Sequence, residues 1–393
     1  MPACEEYDPA QNEPKEIILN KKAAEIIESD QQFAFELFKE VCSSSEVDNI
    51  MISPLSVSYA LGMTFNGAAG TTLDAFYDVL HFGDLTTQEV NESYQDLMHQ
   101  LIHLDQQVEF SIANSIWYRM GYQVLNEFIT TNQDYFDAAV KELDFSDPLA
   151  VEIINTWIEQ KTNDKIKDML DYIPSDAVMY LINAIYFNAK WKYQFNKDDT
   201  YEGNFILENG LTHKTDFMIL TGGLNFTENQ DFTAVELPYG DSAFSMVVML
   251  PSAGNTVNDL VEKMDVSRWD SWFESSTQVQ VQVELPKFTY EFKDLLNQPL
   301  MNLGLKVAFS GAADFSRILP GGGLYISRVI HQTFIDVQEE GTEAAAATIV
   351  ELRETSSPVT PLFRADRPFL YVIKENSTSA IIFMGKVGKP VYE

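Results

Sequence analysis

The stretch EEGTEAAAAT, residues 339–348, lies near the C-terminal end of an acidic chain of 393 residues, and its pattern is the most informative about the fold. From Thr342 onward the side chains alternate between two sets, which are Thr342, Ala344, Ala346, Thr348, Val350 and Leu352 on one side and Glu343, Ala345, Ala347, Ile349, Glu351 and Arg353 on the other. Because successive side chains of a strand face opposite sides of a sheet, all the charges would lie on one face. The segment is therefore able to enter a sheet with an uncharged face inward.

As an isolated segment the same stretch has little to bury. Its alanines favour a helix or an exposed loop, and the sequence SSPVTP that follows at 356–361 is rich in turn residues. We therefore expect the segment to be compatible with two states, an exposed loop and an added strand. An ordinary linker, or the exposed start of a helix, is the alternative interpretation.

Hydrophobic periodicity predicts two clear amphipathic helices in the first half of the chain. Ser29 and Asp30 offer an N-cap to the first, whose apolar face contains Phe33, Ala34, Leu37, Phe38 and Val41. The second follows Asp147 and Pro148, which suit a cap and a first turn, and its apolar face contains Val151, Ile154, Trp157 and Ile158.

The second half of the chain contains strand patterns instead. QVQVQVEL, 278–285, alternates strictly and predicts a strand with one buried face. FSMVVMLP, 244–251, and SAIIFMGKV, 379–387, are apolar throughout, which is typical of strands buried on both faces. Without an internal repeat or a Pro/Ser-rich linker between the halves, the sequence predicts one mixed α/β unit.

Charge excludes several classes of partner. The chain has 26 basic and 59 acidic side chains, a formal net charge of -33, which repels phosphate backbones and anionic lipid headgroups. Nucleic acid and membrane-surface partners are therefore not expected. The longest apolar stretches, such as AVMYLINAIYF at 177–187, are shorter than the roughly 18 to 20 residues that a membrane-spanning helix needs.

The N-terminal residues 1–20 are predicted to be a flexible polar leader. The chain has two cysteines, Cys4 and Cys42, which is too few for a disulfide framework. Cys4 after Ala3 and before an acidic spacer resembles the lipid-attachment end of a bacterial lipoprotein, although the same residues fit a cloning scar. We expect an extracellular or cell-surface protein, and a cytoplasmic one is the alternative.

No catalytic or metal site is predicted. His99 and His103 are one helical turn apart, as in zinc proteases, but Gln100 replaces the catalytic glutamate and no third ligand is evident. A solvated helix face is the simpler interpretation. No serine lies in a G-x-S-x-G elbow, and the glycines at 321–323 fit a turn better than a phosphate cradle. The sequence therefore predicts neither an enzyme nor a cofactor.

The chain resembles the serpin superfamily over nearly its whole length. EEGTEAAAAT resembles the proximal hinge of an inhibitory serpin reactive loop, in a prokaryotic-type or other member. Departures are mild: IMISP, 50–54, replaces the family's usual aromatic-rich approach to Ser53, Asp164 stands where glycine is common, and HQT replaces the more frequent HKA. The other similar blocks are NIMISPLSVSYALGMTFNGAAGTT at 49–72, SIANSIWY at 111–118, INTWIEQKTNDKI at 154–166, LINAIYFNAKW at 181–191, ELPKF at 284–288, ISRVIHQTF at 326–334, FRADRPFLYVI at 363–373 and IIFMGKV at 381–387.

The resemblance implies a mixed α/β serpin fold at 21–393. This single domain would have about nine helices and three β-sheets, with an exposed reactive centre loop at about 339–362. Its five-stranded central sheet would accept that loop as an extra strand. The folded form would then be metastable, because loop insertion would lower its free energy.

The implied function is inhibition of a serine protease by a suicide mechanism. The protease would cleave the loop, form an acyl-enzyme and be trapped as a covalent complex when the loop inserts. Some cysteine proteases are further partners, since they also form acyl-enzymes. The resemblance implies a monomer, and the region of the family's heparin-binding helix, 84–101, has no Lys or Arg, so no heparin-like polyanion is expected.

The resemblance also assigns roles to individual residues. Trp191 resembles the breach tryptophan where the loop enters the sheet, and the helix around Asn155 resembles the helix that crosses the sheet face. The shutter cluster corresponds to Ser53, Ser56, Asn183 and His331. The hinge corresponds to Glu339, Glu340, Gly341, Thr342, Glu343, Ala344, Ala345, Ala346, Ala347 and Thr348.

Family spacing predicts the reactive bond between Thr355 and Ser356. A small β-branched residue there suits elastase-like or subtilisin-like proteases. The alternative bond is Arg353-Glu354, which would attract a trypsin-like enzyme, while shorter-loop members point to Ser357. A glutamate-specific protease acting at Glu351 or Glu354 is a third choice, and a non-inhibitory carrier or chaperone serpin is the alternative function.

Overall fold

The computed structural model describes residues 16–18, 21–342 and 360–392. Within these residues there are nine α-helices and two 3₁₀ turns, at Lys197–Asp199 and Leu305–Phe309. None of the described helices is both long enough and apolar enough to cross a membrane. The helices are α1 Lys21–Ser44, α2 Pro54–Phe65, α3 Gly70–Val79, α4 Thr87–Ile102, α5 Asn126–Phe136, α6 Ala150–Lys161, α7 Val257–Lys263, α8 Val266–Phe273 and α9 Asn297–Leu303.

Fifteen strands lie in the same described ranges, most of them in the second half of the chain. They are β1 Asn49–Ile52, β2 Val108–Arg119, β3 Ala139–Leu143, β4 Met179–Lys190, β5 Tyr201–Ile206, β6 Thr212–Glu228, β7 Phe232–Tyr239, β8 Phe244–Pro251, β9 Thr277–Pro286, β10 Phe288–Leu295, β11 Ile330–Gln338, β12 Gly341–Thr342, β13 Leu362–Arg364, β14 Phe369–Glu375 and β15 Ile381–Val387.

The central sheet has the strand order β10-β11-β12-β4-β2-β3. Five of these have five residues or more, in agreement with the five strands that the resemblance implies, and the sixth, β12, has only two. β12 pairs with β11 on one side and with β4 on the other, while β11 and β4 form no ladder with each other among the described residues. The long central strands therefore flank a gap that β12 closes at one end.

The remaining strands form one continuous sheet. Its order is β1-β15-β14-β8-β7-β6-β9-β13, and β5 also pairs with β6. The 17-residue β6 is long enough to pair with β5, β9 and β7 along different parts of its length. β6 thereby joins two groups of strands that would otherwise form separate sheets. The described strands therefore make two hydrogen-bonded sheets instead of the expected three.

The strand patterns are confirmed. β9 contains the alternating segment, with Val281 and Val283 buried and Gln278 and Gln280 exposed. Every residue of β8 and of β15 is buried, because neighbouring strands cover their edges and other elements cover both faces. The second predicted helix is also confirmed as α6, but its predicted cap is wrong, because the N-cap position is Leu149 with no side-chain cap and Pro148 lies before the first turn. The Asp147 carboxylate instead accepts from the Leu149 N–H at 2.9 Å in the preceding turn.

The predicted start of the first helix is wrong. α1 begins at Lys21, so Ser29 and Asp30 lie inside it rather than at its N-cap. The Ser29 hydroxyl donates to the Glu25 carbonyl within the helix and to the His81 carbonyl, and the Asp30 carboxylate accepts from the Tyr94 hydroxyl. Tertiary partners thus hold side chains that would otherwise favour a helix start, although Asp30 Oδ2 is buried with no hydrogen-bond partner among the described residues.

α2 lies below the central sheet and supports the gap. Ser53 is its N-cap, with the hydroxyl accepting from the Ser56 N–H, and Pro54 occupies the first turn, where its missing N–H costs nothing. Eleven of the twelve residues of α2 are buried, so the helix packs on nearly all sides. Its N-terminus is consequently fixed beneath β4 and β11.

Candidate functional site: the gap in the central sheet

The hinge begins as a strand inside the central sheet. Gly341 pairs with Gln338 and Lys190, and Thr342 pairs with Val337 and Ala189. Gly341 has a φ of 155°, and a Cβ on it would lie 2.2 Å from the Ala189 carbonyl oxygen. Any side chain at position 341 would therefore push β12 away from β4.

Thr342 is buried and hydrogen-bonded. Only 4% of its surface is exposed, and its hydroxyl lies 2.8 Å from the Tyr239 hydroxyl. Burial raises the pKa of Tyr239, which keeps the phenol neutral. Tyr239 stacks on Trp191 with ring centroids 4.4 Å apart, and the Trp191 indole N–H donates to the Gln338 carbonyl at 2.9 Å. The predicted breach tryptophan thus lies against the hinge.

Glu339 is held by an ion pair that is largely removed from solvent. Its carboxylate lies 3.1 Å from the Lys287 ammonium, and it accepts from the Thr200 hydroxyl at 2.8 Å. Burial alone would raise the pKa of Glu339, but hydrogen bonds from its own backbone, Thr200 and Lys287 outweigh burial and lower it. The Phe195 N–H also donates to the Glu339 carbonyl at 2.9 Å. Glu339 therefore fixes the turn from β11 into β12.

Glu340 makes a more exposed contact on the same turn. Its carboxylate lies 2.6 Å from the ammonium of Lys197, whose side chain is 61% exposed. The Trp191 N–H donates to the Glu340 carbonyl at 3.1 Å. Although the sequence predicts an exposed loop from 339, Glu339 and Thr342 are instead buried, because these contacts hold the turn against the sheet. We call Trp191, Tyr239, Lys287, Glu339 and Thr342 the entry cluster.

The four predicted shutter residues lie together where the N-terminus of α2 meets β4 and β11, between the two ends of the gap. The Ser53 N–H donates to His331 Nε2 at 3.0 Å, and the Ser53 hydroxyl donates to the Ile382 carbonyl at 2.8 Å. The Ser56 hydroxyl donates to the Asn183 amide oxygen, and the Asn183 amide donates to Asn114 at 2.6 Å. We call Ser53, Ser56, Asn183 and His331 the shutter cluster; it links α2, β4 and β11 through side chains.

His331 is neutral in this environment. Burial lowers the pKa of His331 to about 4, and no charged group in the described part of the chain offsets it. Because Nε2 accepts from the Ser53 N–H, the ring proton is assigned to Nδ1. The shutter is thus a network of neutral groups that can separate without breaking an ion pair.

A cavity of about 160 Å³ opens beside the shutter cluster. It lies between the lower parts of β4 and β11, above α2, and the segment 323–330 forms one wall. Its lining includes Asn183, His331, Tyr180 and Arg328. Among the described residues, the gap in the sheet is therefore filled by β12 at its upper end and bordered by this cavity at its lower end.

Other predicted residues lie apart from the gap or outside the described residues. Asn155 on α6 makes two hydrogen bonds to the Leu170 backbone, which tie this helix to the chain beside the sheet. His99 and His103 are exposed at the C-terminal end of α4, and the described residues contain no group of metal-ligating side chains. The predicted residues outside the described ranges are Cys4, Glu343, Ala344, Ala345, Ala346, Ala347, Thr348, Glu351, Arg353, Glu354, Thr355, Ser356 and Ser357.

Sequence reasoning missed three contributors to the entry cluster and its surroundings. Lys287 is part of the quoted block ELPKF, but nothing in that block identifies Glu339 as its partner. Tyr239 and Thr200 are separated from the hinge by at least a hundred residues and carry no local signal. Only the tertiary structure brings these side chains to the hinge.

Comparison with known proteins agrees with this geometry. Residues 28–390 match the family described as Serpin (serine protease inhibitor). The chain belongs to the serpin family. Most serpins are protease inhibitors rather than enzymes, and their partners are target proteases, although some members are non-inhibitory.

Individual serpins are similar over nearly their full length. A serpin-like protein of Methanosarcina acetivorans is 35% identical, with 94% of this chain and 89% of the relative covered. Human Serpin I2 is 32% identical, with 91% and 90% covered. The native-state structure of the thermophilic serpin tengpin has a TM-score of 0.86 at 33% identity, with 95% and 96% covered. Human thyroxine-binding globulin complexed with thyroxine has a TM-score of 0.87 at 26% identity, with 94% and 100% covered.

Proposed function

We propose that this serpin is a suicide inhibitor of serine proteases. The target cleaves the reactive loop and becomes an acyl-enzyme on the residue before the broken bond. The freed loop then enters the gap between β4 and β11 as a full strand, starting from β12. Cysteine proteases are secondary targets, since they use the same acyl chemistry.

The position of β12 is the observation that carries the proposal. Gly341 and Thr342 already pair with β11 and β4 on the two sides of the gap. The side chain of Thr342 is uncharged and buried, and Gly341 has no side chain where its backbone approaches β4 most closely. Insertion extends this strand downward and requires no new nucleus. The cavity of about 160 Å³ further along the gap supplies space for side chains of the extended strand.

Insertion inhibits because it carries the protease away. About 14 residues at roughly 3.3 Å each give a strand of about 45 Å, so the tethered enzyme moves to the opposite end of the sheet. Losing one oxyanion donor slows a serine protease by about 10² to 10³, and distortion of the whole active site stops deacylation. The outcome is a race between insertion and hydrolysis of the ester.

The target class follows from the reactive bond. We propose Thr355-Ser356, which suits elastase-like or subtilisin-like enzymes with shallow pockets. Cleavage after Arg353 by a trypsin-like enzyme would shorten the tether by two residues, and it would give weaker inhibition or simple turnover.

Incubation with one elastase-like, one subtilisin-like and one trypsin-like protease tests the proposal. We expect a band that survives denaturing electrophoresis with at least one of the first two enzymes. The mass of the released C-terminal fragment should correspond to a start at Ser356. The same proteases inactivated at their catalytic serine are the control and should give no such band.

The alternative, a carrier or chaperone serpin, gives a different result. The structural similarity to thyroxine-binding globulin is the observation that keeps this function in view. A carrier would be cleaved by all three proteases without forming a covalent adduct. Cleaved protein without a gain in melting temperature would contradict loop insertion itself.

A further inference from the structure

The pairing of β12 fixes where every later loop residue would lie on insertion. Thr342 is opposite Ala189 on β4 and Val337 on β11. In a regular antiparallel strand each step down the loop moves one residue back along both neighbours. Position 351 is nine steps further, which brings it level with Tyr180 on β4 and Arg328 just before β11.

The neighbouring strands carry this register without interruption. β4 pairs with β2 in one register from Ala189 to Met179, with no bulge. β11 pairs with β10 in one register to Ile330, and the Leu296 N–H continues it by donating to the Val329 carbonyl at 2.8 Å. A loop that enters without a bulge of its own therefore keeps the spacing set at Thr342.

The chemistry of the loop matches the chemistry of the gap in this register. On insertion, position 348, a threonine, would be level with Asn183 and His331 in the shutter cluster. Position 349, an isoleucine, would be level with Ile182 and Ile330, which belong to or pack against the apolar cluster under α6. The alternation of faces also agrees, because Ala189 and Val337 belong to the main core whereas Ile182 and Tyr180 belong to the cluster with α6.

Arg328 has an unused donor at the level of position 351. Its terminal nitrogen Nη2 donates to the Tyr172 carbonyl at 3.0 Å and lies 3.4 Å from the Tyr180 hydroxyl. The guanidinium also lies 4.5 Å above the Tyr172 ring. Nε is buried and has no hydrogen-bond partner in the described part of the chain. A buried donor without a partner costs free energy until an acceptor arrives.

We infer that Arg328 is the positioning residue that receives the Glu351 carboxylate when the reactive loop inserts, so that an ion pair anchors the lower end of the new strand. This inference rests on the proposed function. Glu351 would share the α6 face of the sheet with Arg328 and Tyr180, since directly opposite residues lie on one side. The pair would stabilise the inserted form in two ways. The Glu351 carboxylate would be buried beside a positive charge, and Arg328 Nε would gain a hydrogen-bond acceptor.

A double-mutant cycle on the full-length protein tests the pair. The four proteins are the wild type, Arg328→Gln, Glu351→Gln and the double variant, each studied intact and after cleavage C-terminal to Arg353, verified by fragment mass. We expect each single variant to raise the unfolding rate of the cleaved form on the order of tenfold, the size of a modest buried ion pair. The double variant should unfold no faster than either single one.

The intact proteins and a second carboxylate provide the controls. Glu351→Gln should leave the unfolding of the intact form unchanged, because the pair forms only on insertion. Glu343→Gln alters a carboxylate on the same face but eight residues away, so its effect and that of Arg328→Gln should add. If Arg328→Gln does not fold, Glu351→Gln alone suffices, and an unchanged cleaved form overturns the inference.

The results also separate this inference from the proposed function. If the cleaved form is far more stable than the intact one but the effects of Arg328→Gln and Glu351→Gln are additive, the Arg328–Glu351 ion pair is contradicted. Loop insertion itself is then still supported. A cleaved form that is no more stable than the intact one contradicts insertion itself.

Discussion

The two ends of the gap between β4 and β11 differ in how their polar groups are satisfied. At the upper end, the entry cluster gives Glu339 a cation and Thr342 a hydroxyl partner. At the lower end, Arg328 Nε is buried with no hydrogen-bond partner among the described residues, and these residues leave a cavity of about 160 Å³. The upper end is therefore complete without the loop, whereas the lower end has a polar group and a volume that an inserted strand would use.

The two ends therefore have different roles: the upper end fixes the start of β12, and the lower end has unfilled volume and an unpaired donor among the described residues. The charged groups at the upper end fix the turn into β12, so the proposed insertion would start from one register. The shutter cluster between the two ends is neutral, with hydrogen bonds among Ser53, Ser56, Asn183 and His331 that exchange partners more cheaply than ion pairs. The distribution of charge along the gap thus favours a defined start and a low barrier further down.

The largest expected effect comes from placing a charge in the entry cluster. Thr342→Arg would bury a guanidinium where a hydroxyl contacts Tyr239, at a cost of several kcal/mol. Insertion should slow by roughly 10² to 10³, so the protease hydrolyses the ester first. The measurement is the stoichiometry of inhibition, with the covalent band on a denaturing gel beside it.

Thr342→Ser is the matched control for that variant. It keeps the hydroxyl and should retain the wild-type stoichiometry within a few fold. Complex formation by Thr342→Arg at unchanged stoichiometry would mean that the upper end does not control entry.

Ion pairs within the upper end should differ in strength according to their burial. The side chains of Lys287 and Glu339 are 14% and 4% exposed, so Lys287→Met leaves a buried carboxylate without its cation. We expect the free energy of unfolding of the intact protein to fall by about 4 kcal/mol. Lys197→Met removes the exposed partner of Glu340 and should change it little. Chemical denaturation measures both variants, and an equal loss of unfolding free energy in the two would contradict a difference in strength between the buried and the exposed ion pair.

The neutral shutter should make the intact protein sensitive to acid. The pKa of His331 is about 4 in the folded chain against 6.5 for a free histidine, so between these values the unfolded chain binds the extra proton. Stability should therefore fall as the pH decreases through this window, by up to about 3 kcal/mol. His331→Gln, which retains an acceptor for Ser53, should flatten the pH dependence of unfolding. The exposed His99→Gln should not, and identical slopes for all three proteins would contradict a buried neutral His331.

Local patterns predicted individual elements well where one face or both are buried. The strict alternation of β9 and the apolar runs of β8 and β15 identify strands because burial dictates those residue types. The start of α1 was mispredicted because Ser29 and Asp30 are good caps in isolation, and their actual partners, His81 and Tyr94, lie more than 50 residues away. Local propensity cannot anticipate such partners.

Some residues of the candidate site were likewise identified from the sequence, and others were missed. The family resemblance identified the members of the shutter cluster and Trp191, and the structure brings each of them to the gap. Lys287, Thr200 and Tyr239 were missed, because a lysine or tyrosine within a strand pattern gives no indication of the residue that it will contact. The roles of these residues in insertion remain predictions.

By itself, the sequence determined that the segment after Gly341 has one uncharged face and one charged face, since the alternation of strand side chains is a property of the covalent chain. Only the tertiary structure decided the register, because pairing of Thr342 with Ala189 joins residues far apart in sequence and depends on the contacts of Glu339, Tyr239 and Trp191. That register, fixed by packing, is what would direct the Glu351 carboxylate toward Arg328 if the loop inserts as we propose.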